Sequence, residues 1–294
     1  IFEVSWNKIS FLNLNIFILK IYNYMNFDNN FINLFLMLIK NCNQIVLDVY
    51  NSTDFGTEIK NDNSPLTKAD KLCNQCILKF LKENFENIPI ISEENPEGFD
   101  YPSRKDFEYC WLVDPLDGTK EFIKRNGQFT VNIGLVRNKI PIFGIVSIPV
   151  TGEIYYGIER KGSFKVEKGI TTKLEINYPK NFNNENVSIV ASSSHLNIDT
   201  ENFINLFKNP KLIPTGSSIK LLYVAEGTAD IYPRLNLTSE WDTCAAHAVV
   251  KYAGGKVLKV TTNDLKCIED IYSEELTELE YNKENLLNSY FIVY

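Results

Sequence analysis

Apolar side chains recur at helical spacing over residues 30–50, at Phe31, Leu34, Phe35, Leu38, Ile39, Ile45 and Val49. They predict a first amphipathic helix. Residues 51–66 are polar, contain Gly56 and Pro65, and read as a loop or ribbon. A second helix follows from Asp70 to Phe85, with Leu72, Cys76, Ile77, Phe80 and Leu81 on one side. Short apolar runs at 88–91 and 109–113 read as buried strands. A strand meander follows over 128–137, 140–148, 153–159 and 163–166, broken at Asn138, Thr151-Gly152 and Lys161-Gly162. Asn- and Lys-rich sequence at 168–187 marks a boundary or a surface hairpin. Beyond it the pattern reads strand 187–192, helix 199–208, strand 211–213, helix 217–226, strand 229–232, helix 242–253 and strand 256–260. Such alternation predicts an α/β layer. The expected fold class is α/β, with an α+β N-terminal half (28–180) and an α/β C-terminal half (181–294).

The run Tyr109-Cys110-Trp111-Leu112-Val113 leads directly into Asp114-Pro115-Leu116-Asp117-Gly118-Thr119. Pro115 cannot donate to a ladder, so the strand is expected to end there. Asp114 and Asp117 then face each other across a tight turn. Two carboxylates so close repel unless a cation lies between them, and oxygen ligands suit a hard ion such as Mg²⁺. Gly118 and Thr119 open a helix whose free N–H groups favour an anion. A metal pair beside a phosphate cradle is the layout of a phosphoryl-transfer site. The same hexapeptide also reads as a type I turn with two capping Asp residues.

Composition narrows the choices. The chain has 294 residues and is 44% hydrophobic, enough for a full core. A net charge of −7 argues against nonspecific nucleic-acid binding. It leaves a phosphorylated substrate open, because metals can supply the positive charge. The six cysteines show no disulfide framework and read as reduced thiols of a cytoplasmic protein. Cys73 and Cys76 form a lone C-x-x-C inside the second helix, with no second pair to complete a zinc or redox site.

The stretch from Trp111 to Val150, WLVDPLDGTKEFIKRNGQFTVNIGLVRNKIPIFGIVSIPV, resembles the 3′(2′),5′-bisphosphate nucleotidases of the CysQ type. These belong to the inositol monophosphatase superfamily of Mg²⁺-dependent, lithium-sensitive phosphatases. Upstream, DNSPLTKAD (62–70) and IPIISEENPEGF (88–99) resemble the family's first two site segments. Downstream, ASSSH (191–195), TGSSIK (215–220), AEGTADIYPR (225–234) and SEWDTCAAHAVVKYAGGKV (239–257) match its second half in the same order. The resemblance covers roughly residues 28–294. It implies the layered αβαβα sandwich of the inositol monophosphatase and fructose-1,6-bisphosphatase type.

The resemblance also implies a ligand set and a mechanism. Glu93, Asp114 and the Leu116 carbonyl would hold one Mg²⁺; Asp114, Asp117 and Asp242 would hold another, with two or three ions per site. Adjacent carboxylates on extended chain point opposite ways, so only one of Glu93 and Glu94 is expected to face the site, and the resemblance makes it Glu93. Thr119, bonded to Asp70, would orient the attacking water. Gly118, Thr119, Gly216, Ser217, Lys220, Arg234 and Asp242 would surround the substrate, and Ser192 and His195 would face the nucleoside and its 5′-phosphate. Taken alone, each residue has a blander reading. Glu93-Glu94 reads as a solvated acidic loop, Asp242 as a helix N-cap, Asp70 as a helix N-terminal charge and His195 as a loop histidine. His247 reads as structural.

The expected activity is hydrolysis of 3′-phosphoadenosine 5′-phosphate to AMP, and of its 5′-phosphosulfate analogue, within sulfate assimilation. One alternative is a phosphatase for inositol monophosphate or a sugar bisphosphate. Another is a catalytically dead phosphate- or nucleotide-binding protein. The expected partner is a small nucleotide bisphosphate, not nucleic acid, and the expected state is monomer or homodimer. Residues 1–27 read as an upstream extension outside the fold, with Met25 as the start. Asn13, Asn15 and Lys20 interrupt their apolar run, which is too short to span a bilayer. Their aromatics leave peripheral association with the inner face of the membrane as a second reading.

Overall fold

The computed structural model describes residues 27–60, 64–95, 100–176, 186–192, 197–261 and 264–294. It divides into two compact units, Ile1–Leu38 and Ile39–Tyr294. In the first, Phe27, Phe31 and Phe35 stack in sequence, with ring centroids 5.0 and 4.7 Å apart. Residues 1–26, and with them the reading of a membrane-associating extension, lie outside the described residues.

Helix α1 (Asn29–Tyr50) is long and apolar enough by composition to cross a membrane. Its second half carries core contacts instead: Ser147 Oγ donates to Asn43 Oδ1 at 2.6 Å, and Tyr50 packs on Phe122 and Phe129. A short antiparallel ribbon, β1 (Glu58–Ile59) and β2 (Pro65–Leu66), leads to helix α2 (Lys68–Asn84). Thr67 caps α2, and Asp70 completes a capping box. Then come β3 (Ile90–Ser92), α3 (Tyr101–Arg104), β4 (Tyr109–Asp117) and α4 (Thr119–Ile123). The meander continues as β5 (Thr130–Arg137), β6 (Ile140–Ile148), β7 (Glu153–Ile158), β8 (Gly162–Glu167) and β9 (Ile170–Leu174).

These strands form a seven-stranded sheet in the order β3 to β9; β3 and β4 are parallel and the other neighbours antiparallel. One expectation is corrected here, and the surface-hairpin reading of 168–187 holds. Strand β4 does not end at Pro115; it runs to Asp117 with its register broken between Asp114 and Asp117. Proline is tolerated at such a bulge because no ladder donor is needed there. The 168–187 stretch contributes a strand, β9, because Lys168 and Gly169 both take positive φ and turn the chain back.

The second half supplies β10 (Ser188–Ser192), α5 (Ile198–Ile204), β11 (Lys211–Thr215), α6 (Ile219–Ala225), β12 (Tyr232–Arg234), α7 (Glu240–Tyr252), β13 (Val257–Lys259), a 3₁₀ turn at Ile268–Tyr272 and β14 (Phe291–Val293). Strands β10 and β11 pair in parallel, and β12, β14 and β13 form an antiparallel sheet. Helix α6 starts two residues later than its pattern suggests, and β12 overlaps the expected 229–232 only at Tyr232. Ser217 and Ser218 are thereby freed for a loop.

Helix α7 lies across β5, β6 and β7 of the large sheet. The approach is close because glycines stand under the small residues of the helix. A Cβ on Gly144 would come within 2.1 Å of the Ala245 carbonyl oxygen, and one on Gly157 within 2.4 Å of Ala248 O. Gly144 pairs with Gly157 across the ladder, so the two form one groove. This contact sets the N-terminus of α7, with Asp242, over the end of the sheet where β4 delivers its aspartates.

Candidate active site

The bulge at the end of β4 shapes the first cluster. Leu116 N donates to Asp114 Oδ1 at 3.0 Å, so Asp114 folds back over its own kink. Gly118 takes φ 92°, and a Cβ there would sit 2.9 Å from Gln128 O, so glycine is required. Helix α4 then begins at Thr119. The Thr119 hydroxyl lies 3.2 Å from Asp70 Oδ1 and 3.3 Å from Leu116 O. Asp70 Oδ2 accepts from Thr67 N at 2.7 Å and Thr67 Oγ1 at 2.6 Å. Asp70 is thus both the capping residue of α2 and the partner of Thr119.

Asp117 Oδ2 accepts from Ser217 Oγ at 2.7 Å and Ser218 N at 2.5 Å. Asp242 occupies the N3 position of α7 and accepts from Ser239 N at 2.8 Å. Its helix-capping role is real and leaves the second carboxylate oxygen outside that bond.

Glu93 follows β3 in a turn, with its N–H donating to Val113 O at 3.0 Å. The premise that the Glu93 and Glu94 side chains point opposite ways is corrected. Lys60 Nζ donates to Glu93 Oε1 at 2.8 Å and to Glu94 Oε1 at 2.7 Å. Residues 93–94 form a turn rather than extended chain, so the alternation of side chains does not apply.

Electrostatics bind these residues into one group. Burial pushes Asp114 and Asp242 well above the usual carboxylate range, and the charges of Glu93 and Asp117 push each further. Burial also raises Glu93, against the pull of Lys60, and Asp117, against the pull of Lys220. Such a set is costly without a cation and suits hard divalent ions. Among the described residues no three of these side chains already converge on one point as ligands. Their repulsion opposes that convergence, and a bound cation is what would draw them together.

A cleft adjoins the cluster. It is lined by Asp117, Gly118, Ser192, Gly216, Ser217, Ser218, Lys220, Arg234 and Asp242, all singled out from the sequence individually or within the TGSS segment, and also by Glu121, Leu221, Tyr232, Thr238, Thr243 and Phe291, which were given no role of their own. Lys220 is buried, donates to Ser217 O at 2.6 Å and stands over the Tyr232 ring. Desolvation lowers its pKa to about 8. Arg234 donates to Leu237 O at 3.0 Å, while its buried Nε has no hydrogen-bond partner among the described residues. A buried donor without a partner on a cleft wall calls for an anion.

The TGSS loop is less open to a phosphate than its sequence suggests. Gly216 N donates to Gln128 Oε1, Ser218 N and Ser217 Oγ are engaged by Asp117, and Ser218 Oγ by Asn132. His195 lies outside the described residues. His247 is fully buried with Nδ1 2.8 Å from Tyr281 OH, as its structural reading requires.

Residues 29–289 match the inositol monophosphatase family. A 3′(2′),5′-bisphosphate nucleotidase CysQ of Buchnera aphidicola is 40% identical over 229 residues, covering 78% of this chain and 84% of that protein. The CysQ of Escherichia coli K12 is 38% identical over 75% of this chain and 87% of its own length. The crystal structure of CysQ from Bacteroides thetaiotaomicron superimposes with a TM-score of 0.70 at 38% identity, over 87% of this chain and 93% of that one. An inositol monophosphatase from Anabaena shares the fold, with a TM-score of 0.63 at 19% identity over 90% of this chain and 89% of its own.

Proposed function

The chain belongs to the inositol monophosphatase family, and we propose that it works within it as a 3′(2′),5′-bisphosphate nucleotidase. It converts adenosine 3′,5′-bisphosphate to AMP and phosphate, acts also on the 5′-phosphosulfate analogue, and serves sulfate assimilation. The observation that carries this reading is the pairing of two unlike sites in one cleft. The carboxylates Asp117 and Asp242 line the cleft, and so do the cations Lys220 and Arg234. The first suits metals on the scissile phosphate, and the second suits a phosphate that is not cut. The bisphosphate nucleotidase relatives support the same substrate class.

Glu93, Asp114 and the Leu116 carbonyl would hold one Mg²⁺, and Asp114, Asp117 and Asp242 a second, with two or three ions per site. When bound, such ions supply positive charge to the phosphate oxygens and to a nucleophilic water. The residues of the chain do the rest. Thr119 has one hydroxyl proton and two acceptors within reach, Asp70 Oδ1 and Leu116 O. With the Leu116 carbonyl committed as a ligand, that proton goes to Asp70. The Thr119 oxygen is then left to accept from the attacking water and to aim it. Arg234 Nε and Lys220 hold the 5′-phosphate and gain little in the transition state. The proposal extends to a cytoplasmic enzyme, monomer or homodimer, that takes no nucleic acid and is inhibited by lithium at a Mg²⁺ position.

Phosphate release from adenosine 3′,5′-bisphosphate, inositol 1-phosphate and fructose bisphosphate, each in saturating Mg²⁺, tests the reading. The bisphosphate nucleotide is expected to have far the highest kcat/KM. Equal or reversed efficiencies would exclude the nucleotidase, and tight binding without turnover would favour a dead binding protein.

A further inference from the structure

We infer that Thr130 and Asn132 are positioning residues that hold Asp117 so that it offers a metal one oxygen, Oδ1. The inference rests on the reading of Asp117 as a metal ligand. Oδ2 of Asp117 already accepts two hydrogen bonds, from Ser217 Oγ at 2.7 Å and Ser218 N at 2.5 Å. An sp² carboxylate oxygen has two in-plane lone pairs. Both are spent, and an ion must use the other oxygen.

What fixes the two serines lies beneath them. Thr130 Oγ1 is 2.7 Å from Ser217 Oγ and 2.8 Å from Ser218 Oγ. Asn132 Nδ2 donates to Thr130 Oγ1 at 3.0 Å, and Ser218 Oγ donates to Asn132 Oδ1 at 2.8 Å. Thr130 and Asn132 are buried and two residues apart on β5, so their side chains share a face. Across the ladder Thr130 stands opposite Asp117, and Asn132 opposite Asp114. Neither lines the cleft, so neither is placed to touch substrate.

The arrangement also supports a costly backbone. Ser217 takes φ 58°, a left-handed conformation that a non-glycine residue keeps only where its surroundings enforce it. The enforcing bonds run to Thr130 and Asp117. Proton counting makes Thr130 the pivot. The Ser217 proton is committed to ionised Asp117 and the Ser218 proton to Asn132 Oδ1. The single Thr130 proton therefore serves Ser217 or Ser218, but not both. Thr130→Val keeps the shape and removes that proton and its oxygen. Asn132 Nδ2 and two serine oxygens would then face a methyl group, which buried polar groups avoid by moving. The loop would turn, and Asp117 would lose its donors.

The test is Mn²⁺ titration of the substrate-free protein, read by the electron paramagnetic resonance of free Mn²⁺, with melting in chelator as the control on folding. Thr130→Val should weaken one Mn²⁺ site about tenfold, the lower end of losses for residues that support metal ligands. Thr130→Ser, which restores the hydroxyl, should bind like wild type. Where Thr130→Val does not fold, Ser217→Ala removes the hydroxyl on Asp117 from a half-buried loop and should show the same loss. Wild-type affinity in the folded variants would overturn the inference alone. No saturable Mn²⁺ binding by the wild type would overturn the metal reading and this inference with it.

Discussion

The Thr119 hydroxyl donates to Asp70 Oδ1 at 3.2 Å, joining the start of one helix to the cap of another 49 residues earlier in the chain. Asp70 is held from behind by Thr67, so Thr119 meets a fixed acceptor. Thr119→Ala should lower kcat by roughly 10²–10⁴-fold, the range for losing a positioned proton-handling group. KM should change little. A rise in KM at unchanged kcat would show that Thr119 binds substrate and does not aim water.

Asp114 is raised by burial and then by the charges of Glu93, Asp117 and Asp242 together. A residue so placed is the one proposed to serve both ions. Asp114→Asn should cost at least ~10³-fold in kcat, on the scale of losing a major stabiliser of transition-state charge. A variant that keeps a tenth of the wild-type rate in saturating Mg²⁺ would reduce Asp114 to a turn residue.

Arg234 lines the cleft, and its buried Nε has no hydrogen-bond partner among the described residues. Arg234→Ala should raise KM for the bisphosphate by the equivalent of roughly 1.5–3 kcal/mol, the range for hydrogen bonds to charged groups. A contact made equally in ground and transition states leaves kcat alone. Adenosine 3′-monophosphate, which lacks the second phosphate, should lose much less. Equal losses on both substrates would remove Arg234 from the 5′-phosphate site.

Acid titration gives an independent handle on the metals. Burial raises Glu93, Asp114, Asp117 and Asp242 above their unfolded values. Between the unfolded range, near ~4, and the raised values, the folded state holds more protons. Metal-free stability from these groups is therefore present at low pH and lost as pH rises through the window. A divalent ion needs the ionised forms. The gain in Tm on adding Mg²⁺ should grow from about pH 5 to about pH 8. His247, pushed down to about 3 by burial, has the opposite slope, stability being lost as pH falls below ~6.5. It lies in protein with and without metal and cancels from the difference. Equal gains at both pH values would contradict a carboxylate metal site.

The sequence made the elements legible where periodicity was strong. The α2, β5, β6 and α7 patterns were read within a few residues, and the Thr119–Asp70 hydrogen bond that the resemblance implied is present, while Asp70, read as a helix N-terminal charge, also completes a capping box. It misread β4 because Pro115 signals a stop, whereas the structure absorbs it in a bulge that aims Asp114 and Asp117. Lys60 was invisible: a lysine in a polar ribbon carries no periodic signal, and its pairing with Glu93 and Glu94 spans 33 and 34 residues. Thr130 and Asn132 looked like ordinary alternation within a strand. Only the ladder shows them opposite the two aspartates. Tyr232 and Phe291 reach the cleft because β12 and β14 pair, a contact no local pattern encodes.

The most direct test asks which phosphate leaves. The enzyme in Mg²⁺ is given adenosine 3′,5′-bisphosphate, and the nucleotide product is identified by phosphorus magnetic resonance. The proposed site, with carboxylates at the cut phosphate and Arg234 and Lys220 at the retained one, predicts adenosine 5′-monophosphate and one equivalent of phosphate. Adenosine 3′-monophosphate as product, or no hydrolysis where inositol 1-phosphate is turned over, would contradict it.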